Sequence, residues 1–245
     1  MALKTIQYKQ HTFKISYEIV NPDARYTMIF LHGWGSNKGL MKNAFGTHLE
    51  MFRHIYVDLP GFGNSTCNMA LTTEDYANIM ELFLAQINGN QDPIVVGHSF
   101  GGKVALLLNP SILVLIGSAG IRVPKPLKVR LKILLFKCLK IFGFAALRNL
   151  FVAEDAKSLS EPMYQTFKNV VDEDFSGRFA AYGGRALLCW GREDTATPIS
   201  SAHRIADLIG QSRLAEFEGD HYFFMTQAAG VCKEIETTVL KAMEH

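Results

Sequence analysis

The strongest constraint on this chain is a series of uninterrupted apolar runs of strand length: Met28-Ile29-Phe30-Leu31, Ile55-Tyr56-Val57, Ile94-Val95-Val96, Ile112-Leu113-Val114-Leu115-Ile116 and Ala186-Leu187-Leu188-Cys189-Trp190. A strand with one wet face alternates apolar and polar side chains. Strands apolar at every position are covered on both faces, the signature of a parallel sheet. Residues 13–20 do alternate and suit a half-buried strand near a sheet edge. Helical patterns lie between the runs. The clearest spans about Thr73 to Ile87, with Thr72 or Thr73 as N-cap and Glu74 and Asp75 at the positive end of the helix dipole. Further helices are expected at Phe100–Leu108, Ser200–Ile209 and Thr226–Met243. The alternation predicts an α/β fold with a mostly parallel, doubly wound sheet, whose sites collect beyond the C-terminal ends of the strands.

Composition narrows the function classes. With 245 residues, 48% of them hydrophobic, 20% charged and a formal charge of +2, the chain reads as one folded domain, 1–245. Nothing in that balance points to nucleic acid. The cysteines, Cys67, Cys138, Cys189 and Cys232, form no C-x-x-C pair and no disulfide framework. The N-terminus has no apolar run of signal-peptide length, so a cytoplasmic location is expected. The longest apolar stretch, Pro110 to Ile121, is too short to span a bilayer, and no transmembrane segment is expected.

Chemistry enters at Gly97-His98-Ser99-Phe100-Gly101, which leaves the apolar strand Ile94–Val96 and enters a helix-compatible run. Strand, sharp turn and helix form the context of a nucleophile elbow, where small residues two positions either side let a strained turn hold the serine hydroxyl out into a pocket. An unaided serine hydroxyl is a poor nucleophile; a histidine must take its proton and a carboxylate must orient that histidine. In this fold class both lie downstream, acid before histidine. Asp194, with Glu193 as its competitor, follows the run ending at Trp190, and His221 follows the strand-like Leu214–Phe217. His98, His32, His48, His203 and His245 fit a base less well. At Leu31-His32-Gly33-Trp34-Gly35 the chain leaves a strand through glycines, and the main-chain N–H groups of Trp34 and Phe100 are candidate oxyanion-hole donors. No metal or organic cofactor is needed for this chemistry.

Taken together, His32-Gly33-Trp34-Gly35, Asp58-Leu59-Pro60-Gly61-Phe62-Gly63, Gly97-His98-Ser99-Phe100-Gly101-Gly102, Trp190-Gly191-Arg192-Glu193-Asp194 and Gly219-Asp220-His221 resemble the α/β-hydrolase family over nearly the whole chain outside one insertion. The resemblance implies the α/β-hydrolase fold, with a helical lid inserted after the sixth strand. It also implies a Ser99–Asp194–His221 triad, with Asp194 preferred over Glu193. Asp220 departs from the small residue usual before the histidine, and beside His221 it is expected to raise that residue's basicity. A serine at position 99 argues against the haloalkane dehalogenases and epoxide hydrolases, whose covalent step uses a carboxylate. The expected activity is hydrolysis of a carboxylic ester or thioester through an acyl-enzyme. Carbon–carbon bond hydrolysis by the same triad and a non-catalytic ligand-binding relative remain alternatives.

The insertion, residues 121–183, is mainly helical in pattern. Its segment Arg122 to Arg148 holds eight basic residues and no acidic one. Leu127, Leu131, Leu134, Leu135, Cys138 and Phe142 share one helical face, and Val129, Ile133 and Phe136 make a second stripe. One face suits an acyl pocket, while the charged ridges suit an acidic carrier protein or anionic lipid. Solvated lysines with the second stripe packed on a neighbouring helix are the plainer alternative. Methyl esterases acting on pimeloyl-carrier protein are similar in fold and size.

Overall fold

A computed structural model describes residues 1–89, 91–122 and 160–243. The basic stretch of the insertion, from residue 123, lies outside the described residues, and with it the partner surface expected there. An eight-stranded sheet runs in the order β1-β2-β4-β3-β5-β6-β7-β8. Its strands are β1 (Ala2–Tyr8), β2 (His11–Val20), β3 (Tyr26–Leu31), β4 (Phe52–Val57), β5 (Ile94–His98), β6 (Ile112–Ile116), β7 (Arg185–Gly191) and β8 (Ser212–Phe217). β1 pairs with β2 and β2 with β4 antiparallel, and from β4 to β8 every pairing is parallel.

Both faces of the sheet are covered, as the apolar runs require. Val95, Leu113, Leu115 and Leu188 point into one core with α2 (Thr73–Ile87), α3 (Phe100–Leu107) and α6 (Ile199–Leu208). Val96, Val114, Ile116 and Leu187 point into a second core beneath α1 (Lys38–Phe45) and α7 (Ala228–Met243). α2 begins with Thr72 as N-cap in a capping box whose other half is Asp75.

Two further helices, α4 (Glu161–Val170) and α5 (Ser176–Ala181), belong to the segment read from sequence as a lid. They are built into the first core through Met163, Val170, Phe175 and Phe179. Lys103 of α3 reaches up to them: its ammonium donates to Val170 O and pairs with Glu173 at 2.7 Å. Among the described residues, no helix is long and apolar enough to cross a membrane.

Candidate active site

The order of strands reverses at β3, which lies between β4 and β5, so the loops leaving β3 and β5 diverge around a crevice. The predicted site residues all lie beyond the C-terminal ends of these strands and of β7 and β8. Ser99 follows β5 directly, with φ 52° and ψ −116°, a left-handed geometry that costs an L-residue on the order of 1–3 kcal/mol. Three hydrogen bonds hold it there. Ser99 N–H donates to Ile116 O, and Ser99 O accepts from Gly102 and Ala119.

Close approach explains the glycines. A Cβ at Gly97 would come 2.5 Å from Gly101 O, and one at Gly101 would come 2.4 Å from Leu31 O. The start of α3 is thus pressed against the end of β3, and this brings Gly33 beside Ser99, where an added Cβ would lie 3.1 Å from that of the serine. The amide of Phe100, first residue of α3, has no partner inside the helix. Among the described residues, neither it nor the amide of Trp34 donates a hydrogen bond.

Asp194 and His221 meet across the loops after β7 and β8, with Asp194 Oδ2 2.7 Å from His221 Nδ1. Asp194 is buried and Glu193 exposed, so the structure turns Asp194 to the histidine and leaves its neighbour in solvent. Asp194 Oδ1 accepts the amides of Ala196 and Thr197, each at 2.8 Å. Burial alone would push its carboxyl up. The bonds from His221 and Thr197 outweigh that and hold the pKa below the usual aspartate value.

An ionised carboxylate can only accept, so His221 Nδ1 carries a proton and, in the neutral ring, Nε2 carries the lone pair. His221 lies against Gly117, the residue after the Ile116 carbonyl that anchors Ser99: a Cβ there would be 3.2 Å from Asp194 Oδ2 and 3.3 Å from His221 Nδ1. The hydroxyl of Ser99 makes no hydrogen bond among the described residues, so the hydrogen-bonded relay runs from Asp194 to His221 and stops there.

Sequence reasoning did not identify Thr197. Its hydroxyl lies 2.8 Å from Asp194 Oδ2, 3.0 Å from Gly117 O and 3.3 Å from His221 Nδ1. Trp190 Nε1–H, at the end of β7, donates to Thr197 O at 2.7 Å and fixes that loop. Asp220 is exposed, and among the described residues the imidazole pairs with Asp194 rather than with it. Asp220 accepts the Tyr222 amide at 2.8 Å, closing the turn that leads into the 3₁₀ segment Phe223–Met225. Among the described residues, no group of three or more His, Cys, Asp or Glu side chains could hold a metal ion.

The crevice has an aromatic wall and a polar end. The half-buried Trp34 ring packs against Phe62, Phe100 and Phe167 at 4.9, 5.6 and 5.4 Å. Beyond β6 and β7 a cavity of about 320 Å³ is lined by Lys103, Ser118, Arg122, Glu173, Thr197 and Ser201 among others.

The family model described as "Alpha/beta hydrolase family" matches residues 28–234, most of the chain. The chain belongs to the alpha/beta hydrolase family. A "Probable alcohol acetyltransferase" of Saccharomyces cerevisiae is 34% identical over 126 residues, 44% of this chain and 36% of that protein. A "Pimeloyl-[acyl-carrier protein] methyl ester esterase" of Pectobacterium carotovorum is 38% identical over 78 residues, 32% of this chain and 29% of that one. The matches therefore span about a third of each relative's own length. Among solved structures, the Exiguobacterium antarcticum esterase superposes with a TM-score of 0.74 at 23% identity, covering 95% of this chain and 97% of that one. A thermophilic esterase from Thermogutta terrifontis superposes with a TM-score of 0.74 at 17% identity, covering 98% and 99%. At such identities the likeness is one of fold.

Proposed function

We propose that this α/β hydrolase is a serine esterase that cleaves a carboxylic ester or thioester through an acyl-enzyme, with residues 1–245 forming one domain that carries 121–183 as an insertion. The observation that carries the reading is the 2.7 Å bond from His221 Nδ1 to the buried Asp194, which leaves Nε2 as the basic nitrogen of a ring that packs on His98, the residue before the strained Ser99.

In the first half-reaction Ser99 Oγ bonds to the substrate carbonyl carbon as His221 Nε2 takes the hydroxyl proton. Asp194 stays ionised and steadies the imidazolium. The amides of Trp34 and Phe100 hold the negative oxygen of the tetrahedral intermediate. When it collapses, the bond to the alcohol or thiol breaks, and His221 returns its proton to that leaving group. Water repeats the sequence on the acyl-serine, releasing the acid and restoring Ser99. No bound cofactor has a step in this sequence. The aromatic wall of Trp34, Phe62 and Phe167 favours an apolar acyl portion. Two relatives are named for acyl transfer, so an alcohol accepting the acyl group in place of water is the second reading.

The test is hydrolysis of p-nitrophenyl esters of two to twelve carbons, with and without an added alcohol, alongside fluorophosphonate labelling. The expected result is turnover and labelling that both vanish in Ser99→Ala. Turnover that survives Ser99→Ala, or a wild type that neither turns over nor labels, refutes the assignment. A new ester formed from the added alcohol selects acyl transfer.

A further inference from the structure

His98 precedes the nucleophile and has no step in the mechanism above, yet it is a titratable group buried beside the site. As the last residue of β5 it points to the opposite face from Gly97, onto the second core. There its ring lies 4.9 Å from Phe224 below, 4.7 Å from His221 above and 5.4 Å from Tyr222. Its Nε2 is 3.1 Å from the main-chain oxygen of His221. A carbonyl only accepts, so Nε2 carries the proton and, in the neutral ring, Nδ1 carries a lone pair. That Nδ1 is buried with no partner and faces Gly33, where an added Cβ would come within 3.0 Å of it. One ring thus fills the space between the loop of the proposed oxyanion donor and the loop of the proposed base, one residue from the nucleophile.

Leaving a nitrogen unsatisfied in a buried site is costly. An apolar ring would have filled the space between Phe224 and His221 without that cost, so packing alone does not account for a histidine. The feature that distinguishes it from such a ring is the Nε2–H bond to His221.

Resting on the assignment of His221 as the base, we infer that His98 is a positioning residue: its Nε2–H, given to the His221 carbonyl, and its ring, wedged under the His221 imidazole, fix the angle at which His221 Nε2 meets Ser99. Burial, reinforced by the His221 charge beside it, pushes the His98 pKa down to about 3, so the ring stays neutral when His221 takes up a proton. A permanently charged side chain here would oppose that uptake. A shift of the base by an ångström is enough to cost on the order of 10–100-fold in rate, because proton transfer depends on aligned geometry.

The test compares His98→Leu, which keeps bulk and removes the donor, with His98→Gln, whose amide nitrogen can reach the same carbonyl. Expected for His98→Leu is a kcat loss of about 10-fold or more with KM within about twofold; His98→Gln regains most of it. A readout independent of turnover is the low-field NMR signal of the His221 Nδ1–H shared with Asp194. It should be sharp in the wild type and His98→Gln and broadened in His98→Leu. Equal kcat losses in both variants in step with lowered Tm, or a His98→Leu enzyme with wild-type kcat and an unchanged signal, would overturn the inference. If His98→Leu does not fold, His98→Asn takes its place. Its amide is too short to reach the carbonyl, and activity equal to that of His98→Gln would likewise overturn it. A wild type without Ser99-dependent turnover refutes the proposed function instead, and the NMR comparison still decides whether His98 orders His221.

Discussion

At the residue scale, the acid end of the proposed triad is built more heavily than its sequence suggests. Two amides, one hydroxyl and one imidazole converge on Asp194, whereas Glu193 one residue earlier is exposed. Asp194→Asn is therefore expected to lower kcat/KM by on the order of 10⁴-fold, by removing the acceptor that fixes the His221 tautomer. Glu193→Gln is expected to leave it within about twofold, since no site contact is lost. Thr197→Val keeps shape but removes the hydroxyl beside both Asp194 and His221; a loss of about 10-fold in kcat with little change in KM is expected. Steady-state kinetics of the three variants on one ester decides the matter. Equal losses in Asp194→Asn and Glu193→Gln would remove the distinction. Asp194 and His221, which the structure brings together, could be picked out because each follows a strand and the family resemblance favours Asp194 over Glu193. Sequence reasoning could not identify Thr197, whose partner Gly117 O is 80 residues away, nor His98, whose partner is the main chain of a distant loop.

At the scale of elements, legibility followed burial pattern. β3 to β7 each contain an uninterrupted apolar run and were readable, and α2 was bounded by a threonine N-cap with Glu74 and Asp75 in its first turn. β1 was missed because only Ile6 in it is buried, leaving no periodicity to detect. α1 was missed for a different reason. Lys38, which opens it, is a buried cation, and no hydropathy pattern places a lysine in a core. The structure accounts for it through the Asp58-Leu59-Pro60-Gly61-Phe62-Gly63 motif, whose carboxylate contacts the Lys38 ammonium at 2.6 Å and accepts the amides of Lys38 and Asn64. Gly63, at φ 54°, leaves room for that carboxylate, since a Cβ would lie 2.4 Å from it. The motif therefore joins the start of α1 to the loop after β4, and with them the walls of the crevice. Asp58→Ala strands a buried cation and is expected to cost about 3–5 kcal/mol, while Lys38→Met combined with Asp58→Ala should recover part of the loss. Urea unfolding of both variants measures this; a single variant as stable as the wild type would show that the pair does not hold the loop.

At the scale of the whole molecule, buried neutral histidines make stability depend on pH in a definite direction. His32 is stitched into the β3 end, its Nδ1 giving a proton to Gly33 O and its Nε2 accepting the Leu59 amide. Its burial pushes its pKa down to about 4, and that of His98 falls to about 3 for the same first reason. In the unfolded chain both titrate near 6.5. As pH falls below about 6.5 the unfolded state takes up protons that the native state refuses until pH 3 to 4, so stability falls with falling pH across that window. Each histidine contributes a slope of up to about 1.4 kcal/mol per pH unit. Asp58 and Asp194 act separately: both carboxyls are depressed in the fold, so their contribution is present at neutral pH and is lost only at pH values below the ordinary aspartate range. Burial likewise lowers the pKa of His54, which adds to the histidine effect. Urea unfolding at pH 7.5, 6, 5 and 4.5 should show stability dropping between the first and last of these, with a shallower slope in His98→Gln because one of the three titrations is gone. A flat profile from 7.5 to 4.5 would mean that the native state admits a proton to these sites, and that none of these rings is held neutral by its surroundings.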